Sequence, residues 1–458
     1  MSKPILDRSL RQIAEGLGDG YLRSVDLVAE AIARHEPALN AYIAWTPDKA
    51  IEDAVAADAA FAGGYRFGGL QGVAVSFKDL YGVAGLPTFA GTPRALPDQW
   101  AMDGPIVANL RRQLGVIVGK THTVEFAFGG LGTSCHHPVP WNPRDRATHR
   151  APGGSSSGAG VSVAEGSALV AFGTDTGGSV RMPASLTGTV GLKTTLGRWP
   201  TGGIVPLSPS FDTPGILTRS ADDAAFAFEQ LDAARVPDLA PGTPLRVGVA
   251  QPFFWQDCDP GIAERVTEAL RLMEGSGATL TDLSLPGVDE VYAIYHQGGI
   301  VSAELFAFLN GHLPGWLETL DPRVRRRMED GSALEAWRYL QRKARYADLA
   351  AQAAAVFDRC DVIVCPTVPL TAPPVALLAD DATYGRLNLQ NLRNTCVVSF
   401  LGLCAVTIPA GLDAAGMPVG LQLIGAAGTE PRVLAVARLF EGRLAQAGVW
   451  QPPGWSAP

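Results

Sequence analysis

The sequence predicts an α/β protein with one large mixed β-sheet flanked by helices on both faces. Short apolar segments, such as VIVGK at 116–120 and LVAFGTD at 169–175, have the length and composition of buried strands. Segments with helical spacing alternate with them along the chain, in an order too varied for every strand to be parallel. No repeat, low-complexity linker or sharp composition break divides residues 1–458, so a single domain is expected.

The first half of the chain supplies most of this alternation. Residues 1–65 are expected to be helical, with Ser24 as an N-cap. The first strand is expected at 72–78, GVAVSFK. It is followed by a helix at 106–115, a strand at 116–120, a helix at 155–167 and strands at 169–175 and 188–194. A loop rich in Pro and Gly is expected at 199–215, and a helix with Ser220 as its N-cap is expected within 216–232.

The second half repeats the pattern around a more helical insert. A strand is expected at 245–250 and a helix–strand pair within 259–285. Residues 285–350 look mainly helical, and their arginine run, DPRVRRRMEDG, is expected to be a solvated helix face. Further strands are expected within 361–375, 394–411 and 417–426, and a last helix at 430–445.

Composition and charge exclude several classes of protein. A net charge of −8 argues against nucleic acid or an anionic membrane as partner. No uninterrupted apolar stretch reaches the roughly 18 residues of a membrane span, and MSKPILDRSL lacks the apolar core of a signal peptide. The six cysteines form no C-x-x-C pair and no metal-type spacing, so no metal is expected. These features predict a soluble, cytoplasmic protein.

Two glycine-flanked serines carry the chemistry: Ser155 in GGSSSG and Ser179 in DTGGSVR. Ser179 follows an apolar strand and a Thr-Gly-Gly turn, so its side chain is expected at the carboxyl end of a strand, where α/β sheets place ligands. The backbone N–H groups of Thr176, Gly177, Gly178 and Ser179 are then expected to converge on one oxygen as an oxyanion hole. This pattern predicts an amide hydrolase with Ser179 as nucleophile.

Other interpretations of these motifs are weaker. A purely structural Gly-rich turn would produce the same DTGGS pattern. GGSSSG lacks the G-K-[ST] ending of a phosphate-binding loop and the G-x-G-x-x-G of a dinucleotide site. The DTG at 175–177 has no second DTG or DSG to complete the aspartate pair of an aspartic protease.

A serine nucleophile needs a base. The seven histidines are scattered without a helper pattern. A buried lysine serves if its pKa is low enough for the amine to be neutral. Lys78, Lys120 and Lys193 all fall at the ends of predicted strands, and composition and spacing do not choose among them.

The chain resembles the amidase signature family of serine hydrolases. The motifs that carry the resemblance are GGSSSG, GTDTGGSVRMPAS at the expected distance, GLKTTLGR and SFDTPGILTRS, together with GLQGVAVSFKDL and GMPVGLQLIG outside them. The resemblance covers most of the chain, with a catalytic core at 66–220. Residues 285–350 match least well and are expected to be a variable region on the substrate side.

The resemblance implies a Ser–cis-Ser–Lys triad formed by Ser179, Ser155 and Lys78, with a cis peptide bond before Ser155. Lys120 and Lys193 would then be structural. The implied reaction passes through an acyl-enzyme, needs no metal or cofactor, and rises with pH to a neutral or alkaline plateau.

Supporting roles follow from positions around the triad. Ser156 is expected to hydrogen-bond within the relay, and Asp175 and Arg181 are expected to pair and hold the turn rigid. A loop between Lys78 and Ser155 resembles the acyl-pocket loop of the family and is expected to contact substrate. It consists of Ala127, Phe128, Gly129 and Gly130.

Three functional alternatives remain distinct. The loop GGLGTSCHHPVPWNP departs from the amidotransferase A-subunit pattern, and nothing around 290–330 resembles its glutamine-binding segment. An autonomous amidase acting on a small-molecule amide is therefore favoured over a glutamine-hydrolysing A-subunit. A catalytically silent binding protein is disfavoured because all three triad positions are filled. A homodimer is compatible with the family, but no particular stretch supports it, and the acyl group is not encoded in any motif.

Overall fold

Eleven strands join into one mixed sheet in the computed structural model, which describes residues 4–450. The first eight along the chain are β1 (Tyr42–Trp45), β2 (Ala74–Lys78), β3 (Val116–Thr121), β4 (Val170–Asp175), β5 (Val190–Lys193), β6 (Thr213–Thr218), β7 (Leu245–Ala250) and β8 (Ala278–Leu283). The last three are β9 (Val362–Pro366), β10 (Cys404–Leu412) and β11 (Pro418–Gly425). Their spatial order is β1-β3-β2-β4-β6-β5-β10-β11-β9-β7-β8.

Parallel and antiparallel pairs are combined in this sheet, as the mixed class requires. Strands β2, β3 and β4 are mutually parallel, as are β7, β8 and β9. Antiparallel pairs join these two groups through β6, β5, β10 and β11. The predicted single domain, 1–458, extends at both ends beyond the described residues.

The α-helices lie between and after the strands. Seven precede β7: α1 (Leu10–Asp19), α2 (Ser24–Arg34), α3 (Pro47–Ala62), α4 (Pro105–Arg112), α5 (Ser157–Glu165), α6 (Arg181–Thr187) and α7 (Ala221–Leu231). Seven more follow in the described chain: α8 (Ile262–Glu274), α9 (Val288–His296), α10 (Ile300–His312), α11 (Pro322–Ser332), α12 (Ala336–Ala354), α13 (Asp381–Phe400) and α14 (Glu430–Gln446). None of the described helices is long and apolar enough to cross a bilayer.

Helices cover both faces of the sheet because consecutive side chains of each strand point to opposite sides. Ala171 of β4 packs in a small cluster with Ala159 of α5 and Ala184 of α6. Its neighbour Phe172 belongs instead to the main core, together with Phe228 of α7 and Val433 of α14. The predicted fold class is therefore confirmed.

The sheet brings the two glycine-flanked motifs to one edge. Strands β2 and β4 are parallel neighbours, with Phe77 opposite Phe172, so their carboxyl ends lie at the same edge of the sheet. Helices α5 and α6 each begin two residues after the serine of its motif, and the two helices pack against each other. Strand ends and helix starts therefore converge at this edge.

Two strands of the sheet differ from the sequence prediction. Strand β1 precedes the segment predicted as the first strand and is only four half-buried residues long, ordered by pairing with β3. Strand β6 occupies part of the predicted loop and inserts between β4 and β5. Gly215 allows this close approach, since a Cβ there would lie 2.4 Å from the Leu192 carbonyl oxygen.

Two local predictions are also wrong. Residues 394–400, predicted as part of a strand, form the end of α13, where every residue is buried and no polar face marks the helix. Ser24 is the first residue of α2 rather than its N-cap. The carboxylate of Asp58 accepts from the N–H of Ser24 at 2.6 Å and of Val25 at 3.2 Å, and it caps the helix instead. By contrast, Ser220 caps α7 as predicted.

Candidate active site

Lys78 ends strand β2 with its side chain fully buried. Its Nζ donates to Ser155 Oγ at 2.7 Å and to Thr174 Oγ1 at 2.8 Å. Burial lowers the pKa of this amine to about 7, although the nearby carboxylates of Asp212 and Asp175 act in the opposite direction. A neutral amine is therefore available at neutral pH, beside a serine hydroxyl.

Ser155 lies in the loop that leads into α5, and the Gly154–Ser155 peptide bond is cis, as expected. The preceding glycine is required because a Cβ on Gly154 would lie 2.7 Å from the Gly132 nitrogen. The Ser155 carbonyl accepts from the N–H of Val124 at 3.2 Å. These contacts direct the Ser155 hydroxyl toward the lysine.

Ser179 lies in the turn between β4 and α6 and is almost fully buried. Its carbonyl accepts from the N–H of Ser156 at 3.2 Å, which joins the two serine loops directly. The Ser179 hydroxyl has no hydrogen-bond partner among the described residues, and the residue lines a cavity. A free hydroxyl at a cavity wall is the arrangement that a nucleophile needs.

The backbone of the same turn supplies donors. The N–H groups of Thr176, Gly177 and Ser179 have no partner within the described residues. The N–H of Gly178, however, donates to Asp175 Oδ1 at 2.7 Å. The expectation that all four amides face one oxygen is therefore wrong for Gly178, because that amide is committed to holding the turn.

The turn is held by the buried ion pair of Asp175 and Arg181. Arg181 Nη2 lies 2.9 Å from Asp175 Oδ1, and Nε donates to Oδ2 at 3.0 Å. The guanidinium also donates to Gln422 Oε1 and Ser399 Oγ. Burial alone would raise the pKa of Asp175, but the adjacent Arg181 lowers it to about 2. The carboxylate thus stays charged and fixes the turn to strand β11 and helix α13.

The other two candidate lysines have different partners. Lys120 Nζ lies 2.6 Å from Asp79 Oδ1 and donates to Thr88 Oγ1. Lys193 Nζ donates to the carbonyl oxygens of Thr194 and Leu403, each at 2.9 Å. Neither lysine contacts a serine of the two motifs.

Ser156 does not join the relay in the predicted way. Its Oγ donates to the Thr174 carbonyl at 3.3 Å and accepts from the Thr174 N–H at 3.4 Å. It therefore fixes the serine loop to β4, and the hydroxyl of Thr174 is the second partner of Lys78. Sequence reasoning did not single out Thr174, and its position in the motif GTDTGGSVRMPAS was the available signal.

The predicted substrate loop borders the cavity in part. Ala127, Phe128 and Gly129 line it beside Ser179. Gly130 does not, because its N–H and carbonyl bond to Asn388 and Asn391 of α13, both at 2.7 Å. Gly130 therefore does not line this cavity, and its contact with substrate stays a prediction.

The rest of the cavity wall is mostly apolar and includes Leu207, Val301, Leu392 and Phe400. The cavity has a volume of only about 30 Å³. The side chains around it must therefore separate to admit an amide.

Sequence reasoning missed two charged residues at the site, of which Asp212 is the first. It accepts from Thr176 Oγ1 at 2.5 Å and from the N–H groups of Leu207 and Ser208, each at 2.9 Å. Burial raises its pKa to about 6 against those hydrogen bonds. Its position in SFDTPG, one of the motifs, was the available signal.

Arg327 is the second and lines the same cavity as Ser179. It belongs to the arginine run of α11, for which the sequence predicts a solvated face, and that expectation is wrong for this residue. Among the described residues, no group of three or more His, Cys, Asp and Glu side chains is arranged to hold a metal ion.

The chain is thus an α/β protein in which a buried lysine and two serines meet at one edge of the sheet, beside a cavity. A model of the family described as Amidase matches residues 23–434. The 2-amino-5-chloromuconic acid deaminase of Comamonas testosteroni is 49% identical over 428 residues, which cover 92% of each chain. The A-subunit of the glutamyl-tRNA(Gln) amidotransferase of Geobacter metallireducens is 31% identical, covering 97% of this chain and 98% of its own.

A solved structure agrees with these relatives. A crystal structure of an amidase superposes with a TM-score of 0.85 at 30% identity, over 95% of this chain and 100% of the other. The chain therefore belongs to the amidase signature family, which confirms the resemblance seen in the sequence, and it is an amide-hydrolysing enzyme.

Proposed function

We propose that the protein hydrolyses a carboxylic amide C–N bond through an acyl-enzyme on Ser179, with Lys78 as base acting through Ser155. The observation that carries this proposal is the 2.7 Å hydrogen bond from Lys78 Nζ to Ser155 Oγ. A lysine whose pKa is about 7 is neutral in a large fraction of molecules at neutral pH, so it can accept a proton.

The acylation step follows from the position of each group. Ser179 Oγ bonds to the amide carbon while its proton passes to Ser155 Oγ, and the Ser155 proton passes to Lys78 Nζ. The oxyanion accepts from the N–H groups of Thr176, Gly177 and Ser179. Losing one such donor costs on the order of 3 kcal/mol of transition-state stabilisation.

The proton then returns through Ser155 to the leaving nitrogen as the C–N bond breaks. A water molecule attacks the acyl-serine, transferring its proton along the same path. The carboxylic acid is released and the free hydroxyl is restored. Ammonia or an amine is the nitrogen product, so nitrogen release is the readout. The deaminase from Comamonas testosteroni supports ammonia as the first product to measure.

The test is hydrolysis by the purified single chain beside Ser179→Ala. The panel extends from glutamine and small aliphatic amides to aryl amides and anilides, scored by ammonia or amine release. We expect turnover of non-glutamine amides and a loss of at least about 10³-fold in kcat for Ser179→Ala. Residual turnover equal to wild type in this variant would contradict the assignment of Ser179.

Two buried lysines provide a matched control for the base. Lys78→Met and Lys193→Met each remove a fully buried amine, but only Lys78 contacts Ser155. We expect Lys78→Met to lose kcat about as completely as Ser179→Ala. Lys193→Met should lower thermal stability, because it leaves two carbonyls without a donor, while the folded fraction keeps its kcat. Equal loss of kcat in both variants would remove the argument for Lys78.

A glutamine-hydrolysing A-subunit of an amidotransferase complex is the second candidate, favoured by the relative in Geobacter metallireducens. It makes a different prediction for the same experiment. A protein of this kind would copurify with partner chains and release ammonia only from glutamine. Turnover of other amides by the isolated chain excludes it.

A further inference from the structure

Arg327, on helix α11, is the one charged residue among the described residues that line the Ser179 cavity. No acidic residue shares that wall among the described residues, since the other lining groups are apolar, hydroxyl- or thiol-bearing, or backbone. A charge at an apolar wall is costly unless something compensates it. Arg327 is half-buried, and the cavity wall supplies no opposite charge for it.

Contacts within the protein use only part of this guanidinium. Nη1 donates to the Phe128 carbonyl at 2.8 Å, and Nη2 donates to the Tyr295 hydroxyl at 3.3 Å. The guanidinium carbon also lies 4.0 Å from the centre of the Phe128 ring. Arginine has five N–H donors, so three remain, and the contacts fix the plane in which they point.

No carboxylate lies within 4.0 Å of Arg327 among the described side chains. Two neighbouring arginines of α11, by contrast, have partners within the protein. Arg323 pairs with Asp381 at 2.8 Å, and Arg325 donates to the Leu317 carbonyl at 2.6 Å. Arg327 is thus a positioned, unpaired cation on the same cavity wall as the free hydroxyl of Ser179. Guanidinium groups bind carboxylates through two parallel hydrogen bonds, which gives both affinity and orientation.

We propose that Arg327 binds a carboxylate on the acyl part of the substrate, so that the enzyme acts on small amides that also carry an acid group. This inference rests on the proposed function, because it takes the acyl carbon to be the one that Ser179 attacks. The protein has a net charge of −8, which repels anions at long range. A fixed cation at the site supplies the selectivity for an acidic substrate that the overall charge opposes.

The experiment compares an acidic amide with its neutral isostere. Succinamic acid and 4-oxopentanamide have the same length, but a methyl group replaces the carboxylate oxygen in the second. Homologues with one, three and four methylene groups between the two carbonyl carbons define the reach from Ser179 to Arg327. For the wild type we expect kcat/KM to favour the best acidic amide by about 10- to 100-fold.

Arg327→Met keeps much of the length of the side chain and removes its charge. We expect it to abolish the preference by lowering kcat/KM for the acidic amide about 10-fold or more beyond any loss on 4-oxopentanamide. Arg325→Met, on the same helix, is the control and should keep the preference. Equal losses on both amides in Arg327→Met would overturn the proposal and show that Arg327 only holds Phe128.

Binding is measured separately so that the proposal does not depend on turnover. Calorimetric titration of succinate and glutarate should show binding to Ser179→Ala that weakens about 10-fold or more in Ser179→Ala/Arg327→Met. Binding that is absent, or equal in the two proteins, would contradict the carboxylate site. Turnover of neutral amides with no preference for acidic ones would overturn this inference alone, whereas turnover that persists in Ser179→Ala would overturn the proposed function.

Discussion

Burial changes the pKa of two lysines in the same direction, and only their contacts tell them apart. Burial lowers the pKa of Lys78 to about 7 and that of Lys193 to about 8. A shifted pKa therefore marks neither as the base. The hydroxyl of Ser155 beside Lys78, in contrast to the two carbonyls beside Lys193, is the chemical difference.

The pH dependence of activity tests the charges that face Lys78. Asp212 and Asp175 both raise its pKa, against the larger effect of burial. Since the base must be neutral, kcat/KM should rise through about pH 7 to a plateau. Asp212→Asn removes one negative charge, which disfavours the ammonium form and lowers the pKa of Lys78. We expect the rising limb to move by roughly half to one pH unit toward acid.

The measurement is the pH–rate profile of kcat/KM for wild type and Asp212→Asn on one amide. The asparagine keeps an oxygen for the N–H groups of Leu207 and Ser208. The test compares the pH of the rising limb in the two proteins, so a lower plateau in the variant does not affect it. A limb that stays in place, or moves toward alkaline pH, would show that Lys78 does not control it.

At the scale of elements, the turn from β4 to α6 is shaped by what packs against it. Gly178 has a φ of 129°, and a Cβ there would lie 2.0 Å from Thr395 Oγ1 on α13. Gly177 has no such restriction, since its nearest contact would be 3.5 Å away. Helix α13 thus restricts one glycine of the pair and not the other.

These two glycines make a matched pair of substitutions. We expect Gly178→Ala to lower the free energy of unfolding by about 3 kcal/mol, because the clash and the left-handed backbone both oppose it. In a chain of 458 residues this corresponds to a fall in Tm of about 3 °C. Gly177→Ala should leave Tm nearly unchanged. Calorimetry checks both, and an equal fall in the two variants would refute this account of the turn.

Elements were predictable where local pattern and tertiary environment agree. Strands β2, β3 and β4 are fully buried apolar runs, and the sequence shows them directly. Strand β1 depends on its pairing with β3, and β6 depends on neighbours on both sides, so neither has a strong local signal. The end of α13 is buried on all sides, so its apolar run has no period to distinguish helix from strand.

The whole molecule decides which residues reach the site. Glycine patterns indicate Ser155 and Ser179, while the choice of Lys78 depends on the family resemblance. The structure brings these three together by placing β2 beside β4. Three consecutive arginines stand at 325–327, and the sequence does not distinguish them. Only the packing of α11 shows that Arg327 lines the cavity.

Across the whole molecule, buried carboxyl groups make the fold more stable at low pH, whereas the base is neutral only at higher pH. Burial raises the pKa of Glu125 and of Glu441 to about 8 in each case. Both are protonated in the folded state at mildly acid pH, whereas the unfolded chain ionises near 4.5. The stability that they contribute is complete below about pH 4.5 and is lost as pH rises through about 8. Activity and stability therefore change in opposite directions between about pH 6 and 8.

Glu441 offers the sharper test of this opposition because it joins two helices that pack on the sheet. Its Oε2 accepts from the N–H of Ala221 at the start of α7, and the carboxylates of Asp222 and Asp223 raise its pKa further. Glu441→Gln keeps an acceptor for that N–H and cannot ionise. We expect it to stabilise the protein at pH 8 by on the order of 3 kcal/mol, or about 3 °C in Tm, and to change little at pH 4.5. Calorimetry at both pH values checks this, and a Tm difference that is the same at each would mean that packing, rather than charge, is responsible.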